Sequence, residues 1–274
     1  MGVMIAALTV GSAAPHLLNG VGGAGWTVVM ISPSLLTVIG GLVVAVLGRD
    51  GPYPFPTTTF EARHAWRALQ EPEVRRASVA YLGHMWELYA MWAWIALFLA
   101  DTVDEQGSGW NPSLLAFAVI AAGAPGSVLA GMVGERLDKR RSAIGAMVLS
   151  GTAALVVALP GLPLWLVMVV ALAWGASVVA DSAQLSAIVS ERADQRYVGT
   201  ALTAQLAFGF LLTIATMWLV PFVEGHAGWW AAFAMLAPGP LLGAWALRSL
   251  SEQPDGALAD VPLPPVPAVN NSER

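Results

Sequence analysis

The sequence has no cysteine, and charged residues make up only 11% of its 274 positions, against about 25% in typical soluble proteins. Without cysteine there are no disulfides, thiolate nucleophiles or Cys-ligated metals. The 13 Lys+Arg against 18 Asp+Glu leave a formal charge of -5, so the basic footprint that nucleic acid requires is missing. No Gly-x-x-x-x-Gly-Lys phosphate cradle occurs, which argues against a primary ATP-driven pump. No nucleophile–base pair or ligand cluster recurs along the chain, so neither an enzyme nor a bound cofactor or metal is expected. What is present is apolar: 57% hydrophobic residues and a mean hydropathy of +0.65. That leaves too little polar surface to cover a water-facing globule, and the chain reads as an integral membrane protein whose solvent is the lipid bilayer.

Eight apolar stretches approach the roughly 20 residues that a helix needs to cross a bilayer. They run Gly2–Leu18, Trp26–Leu47, Ala77–Ala100, Ser113–Gly134, Ala143–Leu159, Leu164–Ile188, Gly199–Phe222 and Trp229–Leu247. Barrel strands would alternate apolar and polar over about ten residues; these runs are continuous, so the fold class is an all-α membrane bundle. Every basic residue falls on one side of such a bundle. The segment 48–76 holds Arg49, Arg63, Arg67, Arg75 and Arg76, and the next same-side loop holds Arg136, Lys139, Arg140 and Arg141. Arg192 and Arg196 lie in the third, and Arg248 and Arg274 in the tail. The positive-inside rule makes that side cytoplasmic, which places a multi-pass protein in the cell (inner) membrane with both termini inside. The other side carries Asp101, Asp104, Glu105, Glu224 and His226, with Trp26, Trp110, Trp165, Trp229 and Trp230 at the helix ends, where an aromatic belt belongs.

The long cytoplasmic segment 48–76 opens with Pro52, Pro54 and Pro56, then reads as an amphipathic helix from about Thr59 to Gln70. It divides the chain into two helices (1–47) and six (77–250). The Pro-, Asp- and Ser-rich tail, 251–274, reads as disordered. A long-range echo links the first helix pair to the last. Gly2, Gly11, Gly25-Trp26, Pro33, Gly40 and Arg49 recur in order as Gly199, Gly209, Gly228-Trp229, Pro238, Gly243 and Arg248, offset by 197 at the first landmark and 199 at the last. That offset spans six helices. If six is the unit, the first two spans are its fifth and sixth, and four helices are expected ahead of Met1.

Ionisable residues inside spans mark function, because burying one in hydrocarbon costs at least about 2.5–3.5 kcal/mol. In the third span, Tyr81, His84, Glu87 and Met91 share one helical face at 100° per residue. A carboxylate beside an imidazole suits a substrate or proton site; the alternatives are interhelical polar glue and, more remotely, a metal. In the sixth span, Trp174, Ser177, Asp181 and Gln184 cluster within about a third of the circumference. For Asp181, partnership with a loop arginine competes with a role in transport. Gln205, and His16 beside Pro15, are weaker candidates, and the run from Ala122 to Ser127 reads as close helix packing with a bend.

One loop carries a motif, Gly131-Met132-Val133-Gly134-Glu135-Arg136-Leu137-Asp138-Lys139-Arg140-Arg141. It resembles the loop signature of the major facilitator superfamily of secondary transporters, with Glu135 for the commoner Asp and Asp138 for the second Gly. The stretch from Ser190 to Ala201 is similar to the acid-rich hinge that opens that family's eleventh helix. The resemblance implies that residues 1 to about 250 correspond to helices five through twelve of a twelve-helix transporter, whose seventh and tenth helices line the central cavity. These would be the third and sixth spans here, where the polar faces lie. Apart from the resemblance, Glu135 and Glu191 fall at cytoplasmic helix ends among Arg136, Arg140 and Arg192, so that with Gly131 they form a candidate ion-pair latch between two helix bundles. The alternative, favoured for Lys139 and Arg141, is that the basic residues simply hold their loop inside. The expected activity is alternating-access transport of a small solute or ion, with protons as a candidate coupling ion. The class that competes with it is a non-transporting scaffold or remnant needing a partner for the other helices. The segments Gly11–His16 and His84–Trp92 are similar to bacterial members grouped with nitrate- and cyanate-type anion carriers, yet no basic residue lies inside any span.

Overall fold

A computed structural model describes residues 2–22, 25–49, 70–136, 138–193 and 197–250. Both the helix expected over 59–70, save its last residue, and the tail 251–274 lie outside these residues. The described residues form ten α-helices and no strand: α1 Gly2–Gly22, α2 Trp26–Leu47, α3 Pro72–Glu105, α4 Pro112–Ala121, α5 Gly123–Arg136, α6 Lys139–Val156, α7 Leu164–Ser177, α8 Ser182–Arg192, α9 Val198–Ala234 and α10 Pro238–Arg248. Several are long and apolar enough to cross a membrane: α1, α2, and the composite segments Pro112–Arg136, Leu164–Arg192 and Val198–Arg248. α3 and α6 are helical too, but Glu87, His84 and several Trp and Tyr lower the hydropathy of α3, and Lys139, Arg140 and Arg141 that of α6. The 34 residues of α3 reach about 51 Å at 1.5 Å per residue, well beyond a hydrocarbon core of about 30 Å.

Prolines set most of the interruptions. A proline has no N–H to give the carbonyl four residues back, and its ring presses on that carbonyl. Pro125 therefore ends α4 at Ala121, and Pro238 ends α9 at Ala234. The expected bend within Ala122–Ser127 thus occurs at Ala122. Inside α9, Gly228 supplies a left-handed φ of 78° that splits the last two stretches. The ends are capped locally: Asn111 accepts from the amides of Ser113 and Leu114 ahead of α4, and Asp138 accepts from the Arg140 amide ahead of α6.

Tryptophan indoles take up carbonyls that these interruptions release. Pro221 leaves the Met217 carbonyl without its helical donor, and Trp94 Nε1 donates to it at 3.1 Å. The amide of Gly239 turns to Leu236, and Trp86 Nε1 donates to the Met235 carbonyl at 3.0 Å. Beyond the end of α6, the Leu159 amide bonds Val156, and Trp230 Nε1 donates to the Leu155 carbonyl at 3.1 Å.

α3 is the axis of the packing. Backbones touch where it crosses α10: a Cβ on Gly83 would lie 2.2 Å from the Gly239 carbonyl oxygen, and Gly243 sits against Ala80. Gly209 of α9 makes room for the side chains of Tyr81 and Met85, which would lie 2.8 and 2.9 Å from a Cβ there. The α4–α5 bend is equally tight, with Gly126 against the Ala176 carbonyl and Gly175 against the Val119 carbonyl. α1 rests on α4 and α5, whereas α2 packs on α1 and buries none of its side chains. The buried residues form two apolar clusters, one around Met91, Trp174 and Phe233 and the other around Tyr81, Met147 and Leu185.

Replacing Trp94 with Phe is expected to orphan the Met217 carbonyl and destabilise the fold by about 1–3 kcal/mol. Adding Pro221→Ala restores the helical donor, so the double variant should recover most of the loss. Thermal unfolding in lipid-detergent micelles checks this, and equal losses with and without Pro221 would refute it.

Candidate functional site

The site lies where the two apolar clusters meet, at a break in a spanning segment that neither a proline nor a left-handed glycine causes. Between α7 and α8 the chain tightens over Val178–Asp181, with the amides of Ala180 and Ser182 bonding back three residues to Ser177 and Val179. This frees the Val178 carbonyl from the α-helical ladder, and it faces the His84 imidazole. The same turn sets Asp181 in the interior. Its Oδ1 lies 2.8 Å from Nδ1 of His84, off the ideal hydrogen-bond angle, and both side chains are almost wholly buried. On the other edge of the ring, Nε2 lies 3.0 Å from the Ser182 hydroxyl.

One turn further along α3 is Glu87, 1% exposed. Each of its oxygens has one donor: Trp174 Nε1 to Oε1 at 2.7 Å and Ser150 Oγ to Oε2 at 2.7 Å. Glu87 also interacts electrostatically with His84 and Asp181. The arrangement is thus two adjoining units, a carboxyl held by two neutral donors and an imidazole–carboxylate pair beside a helix break. Below His84, the Tyr81 ring lies 6.0 Å away, centre to centre. Trp174 stacks edge-on with Phe233 at 5.0 Å, which fixes the indole that holds Glu87.

The two polar faces read from the sequence therefore converge. Tyr81, His84, Glu87, Met91, Trp174, Asp181 and Gln184 are all buried in the interior. Ser177 is buried as well, but its hydroxyl turns back to the carbonyls of Ala173 and Trp174 in its own helix. The loop-arginine partnership weighed for Asp181 is replaced by His84, because the turn draws the carboxylate inward. Eleven residues further on, Arg192 pairs with Glu73 instead. Ser150 and Ser182 join the site without any warning in the sequence. A lone serine in an apolar run gives no signal until its partner on another helix is known. Among the described residues, no three His, Asp or Glu side chains converge in a way that would hold a metal.

The charged end differs from the expected latch. Glu191 pairs with Lys139, which the sequence suggests as a loop anchor, and Arg192 pairs with Glu73. Arg140 donates to the Leu250 carbonyl at 2.8 Å and lies 3.6 Å from Asp138. Glu135 and Arg136 are exposed and make no ion pair among the described residues. Gly131 approaches only the backbone of Gly2, at 4.0 Å. The observed pairs join α3, α6 and α8 to one another, so they tie one group of helices together and do not bridge two. His16 sits partly buried in α1. No family model matches the chain, and no curated protein matches it.

Ser150→Ala should leave one Glu87 oxygen buried without a donor and cost about 1–3 kcal/mol. In a Glu87→Leu background the hydroxyl has no carboxyl to serve, so removing it should cost well under half as much. A thermal-unfolding double-mutant cycle between Ser150→Ala and Glu87→Leu measures the difference, and additive losses would show that the 2.7 Å contact contributes nothing.

Proposed function

We propose that the chain is a secondary transporter of the major facilitator type, in which residues 1 to about 250 correspond to helices five through twelve. It moves a small solute or ion across the membrane by alternating access. The observation that carries this reading is the burial of His84, Glu87 and Asp181 together, on three different turns of apolar helices beside a break in α7–α8. Ionisable groups are costly at such depth and persist mainly where they serve a pathway or a relay. Discontinuous helices with freed carbonyls are the usual way that transporters build a midplane site. Packing alone would be better served by apolar residues of equal volume.

On this reading the Glu87 unit and the His84–Asp181 unit carry substrate or a proton. Release of Glu87 from Trp174 and Ser150 accompanies exposure of the site to one face. The pairs Lys139–Glu191 and Arg192–Glu73 keep α3, α6 and α8 together at the charged end, so these helices move as one group, and the C-terminal bundle runs from α3 to α10.

A second reading, a membrane scaffold or subunit that works with partner helices, is favoured by α2. Its 22 residues bury no side chain, and it shares with α1 a groove of 390 Å³ lined by Leu8, Gly11, Ser12, Ser32, Pro33 and Leu36, among others. Reconstitution of the chain alone into liposomes, with a panel of organic and inorganic solutes under an imposed pH gradient, separates the two. Flux favours the transporter, while stable insertion without flux or ligand binding favours the scaffold.

If protons couple through Glu87, Glu87→Gln should abolish the pH dependence of uptake while the chain still inserts, since the amide keeps the volume and one acceptor. Unchanged pH-dependent uptake by that variant would remove Glu87 from the coupling. Alternating access has its own readout, because the chain lacks cysteine. Ser150→Cys should become reactive to membrane-impermeant thiol reagents from each face under opposite solute gradients, and reactivity confined to one face under all gradients would contradict rocking about this site.

A further inference from the structure

A column of aromatic rings runs from Glu87 toward the end of the bundle that lies away from the charged residues. Its inner member is Trp174, whose indole donates to Glu87. Phe233 meets that indole edge-on, and Trp229 lies 5.3 Å beyond Phe233, centre to centre. Phe98 of α3 touches both edge-on, at 5.7 Å from Trp229 and 5.2 Å from Phe233. The outer member is pinned, because Trp229 Nε1 donates to Oδ2 of Asp101 at 2.8 Å. Fourteen positions of α3 separate Glu87 from Asp101, about 21 Å at 1.5 Å per residue. An indole bonded to a carboxyl thus stands at each end of the column. Trp174, Phe233 and Phe98 are buried, while Trp229 and Asp101 are partly exposed.

The backbone that carries Trp229 and Phe233 is interrupted on both sides. Before Gly228 the chain runs with α3, Gly209 meeting Met85 and Met217 meeting Trp94. Gly228, at φ 78°, reverses it. After it the chain runs back along α3, with Trp229 at Asp101, Phe233 at Phe98 and Gly239 at Gly83. Beyond Ala234 the amides of Leu236 and Ala237 bond only three residues back, to Phe233 and Ala234, before α10 begins at Pro238. Residues 229–234 are therefore a short helical stub between two breaks. Met91, Ile95 and Leu99 of the same apolar cluster sit instead on α3, which is unbroken from Pro72 to Glu105. The stub can shift without breaking the ladder of either neighbour, and glycine gives its first break conformational freedom. Two indole bonds hold it, Trp229 to Asp101 on α3 and Trp230 to the Leu155 carbonyl on α6.

We infer that residues 229–234 close the Glu87 site on the side away from the charged end, and that Asp101 and Trp229 are the positioning residues that keep the closure shut. Large rings in mutual contact exclude water, so while the column is intact the carboxyl and its Ser150 partner are sealed from that side. Freeing Trp229 from Asp101 lets the stub pivot between its two breaks, and Phe233 then leaves Trp174. The indole that holds Oε1 of Glu87 loses its backing at the same moment, so the outer pin and the inner carboxyl respond together. The ion pairs at the charged end join other residues, Lys139 to Glu191 and Arg192 to Glu73, and releasing the stub leaves them intact. The closure is thus specific to one side. As a gate it rests on the transport reading, whereas as a seal it rests on the packing and stands without it.

Thiol labelling of the full-length, cysteine-free chain tests the closure without any flux. In a Ser150→Cys background, Asp101→Leu and Trp229→Phe, made singly, should each speed reaction with a membrane-impermeant methanethiosulfonate added to the Asp101 face by at least about tenfold, since thiolates form only where water reaches. Asp101→Asn keeps an oxygen that accepts from the indole, so it should label at the parental rate. From the charged-end face every variant should label at the parental rate too. Unchanged labelling of both variants from the Asp101 face would overturn the proposal. So would an equal rise from both faces, which marks a general loosening of the fold, or Asp101→Asn labelling as fast as Asp101→Leu. Should the Leu and Phe variants fail to fold, hydrogen exchange in the unaltered chain decides. Amides 231–237 should open as one group, at least about tenfold faster than amides 88–99 of α3, and equal protection of the two would overturn the closure. Face-specific labelling in a chain that moves no solute keeps the seal and removes the transport reading; solute flux with labelling unchanged does the reverse.

Discussion

The structure depends on one constraint: in an apolar surrounding, every backbone carbonyl that loses its helical donor must be given another. Helices satisfy it along their length, but bending them for close packing breaks the ladder. This chain bends often, at Ala122, Pro221, Gly228 and before Pro238, and across Val178–Asp181. Indole N–H groups meet the need at Met217, Met235 and Leu155. The indole suits the task because it brings one donor on a large apolar body that is itself at home against helices. Tryptophan is therefore structural here in a specific sense: it permits the kinks that let glycines bring backbones together.

That close approach makes a polar interior possible in a helical bundle of this size. Gly83, Gly239 and Gly243 bring α10 onto one side of α3, and Gly209 brings α9 onto another. The remaining face of α3 then turns toward α6, α7 and α8, where Ser150, Trp174 and Asp181 wait. In so dry a place a hydrogen bond is electrostatically strong and its loss is costly. The Glu87 carboxyl, with one donor per oxygen, is therefore held firmly. The His84–Asp181 contact is looser, since its angle is poor and its second neighbour is a serine that can donate or accept. A firm carboxyl next to an adaptable imidazole pair gives the interior two groups that respond differently to the same change in packing.

How far the sequence reveals this can be judged element by element. The face Tyr81–His84–Glu87–Met91 is legible because helical periodicity alone sorts positions on a long, unbroken helix, and α3 is unbroken from Pro72 to Glu105. Trp174 and Asp181 are legible as unusual residues in an apolar run, yet the helix break between them is not. Its residues, Val178–Asp181, include no proline or glycine to announce it. Ser150 is invisible, since its role exists only through Glu87 on another helix. The charged end misleads for a related reason. The motif suggests Glu135 and Arg136, but α6 begins at Lys139 with Asp138 as its cap, so Lys139 emerges facing Glu191 while Glu135 and Arg136 are left in the open. Pairing between helices is set by register, and register is a property of the packed bundle. Apolar helices, their approximate limits and the side on which charge collects are properties of the chain, and those are readable.

The unevenness of burial bears on what the chain does. α3 to α10 enclose an interior in which large side chains such as Trp174, Phe233 and Met91 are sealed and ionisable groups are matched. α2 is the opposite case, with Leu35, Leu36, Val44 and Leu47 all more than half exposed on a helix whose every position is apolar, small or hydroxylated. Lipid alone satisfies such a surface, because hydrocarbon is as apolar as leucine and drives no association. A hydroxyl is another matter, and Ser32, Ser34 and Thr37 each bond to a carbonyl of α2 itself, four residues back. α2 is thus already self-satisfied and free to face lipid or another helix at little cost. The ionisable groups have no such freedom. They are matched only inside the bundle formed by α3 to α10, so any change that exposes Glu87 or His84 must be a rearrangement of that bundle, whatever covers α1 and α2.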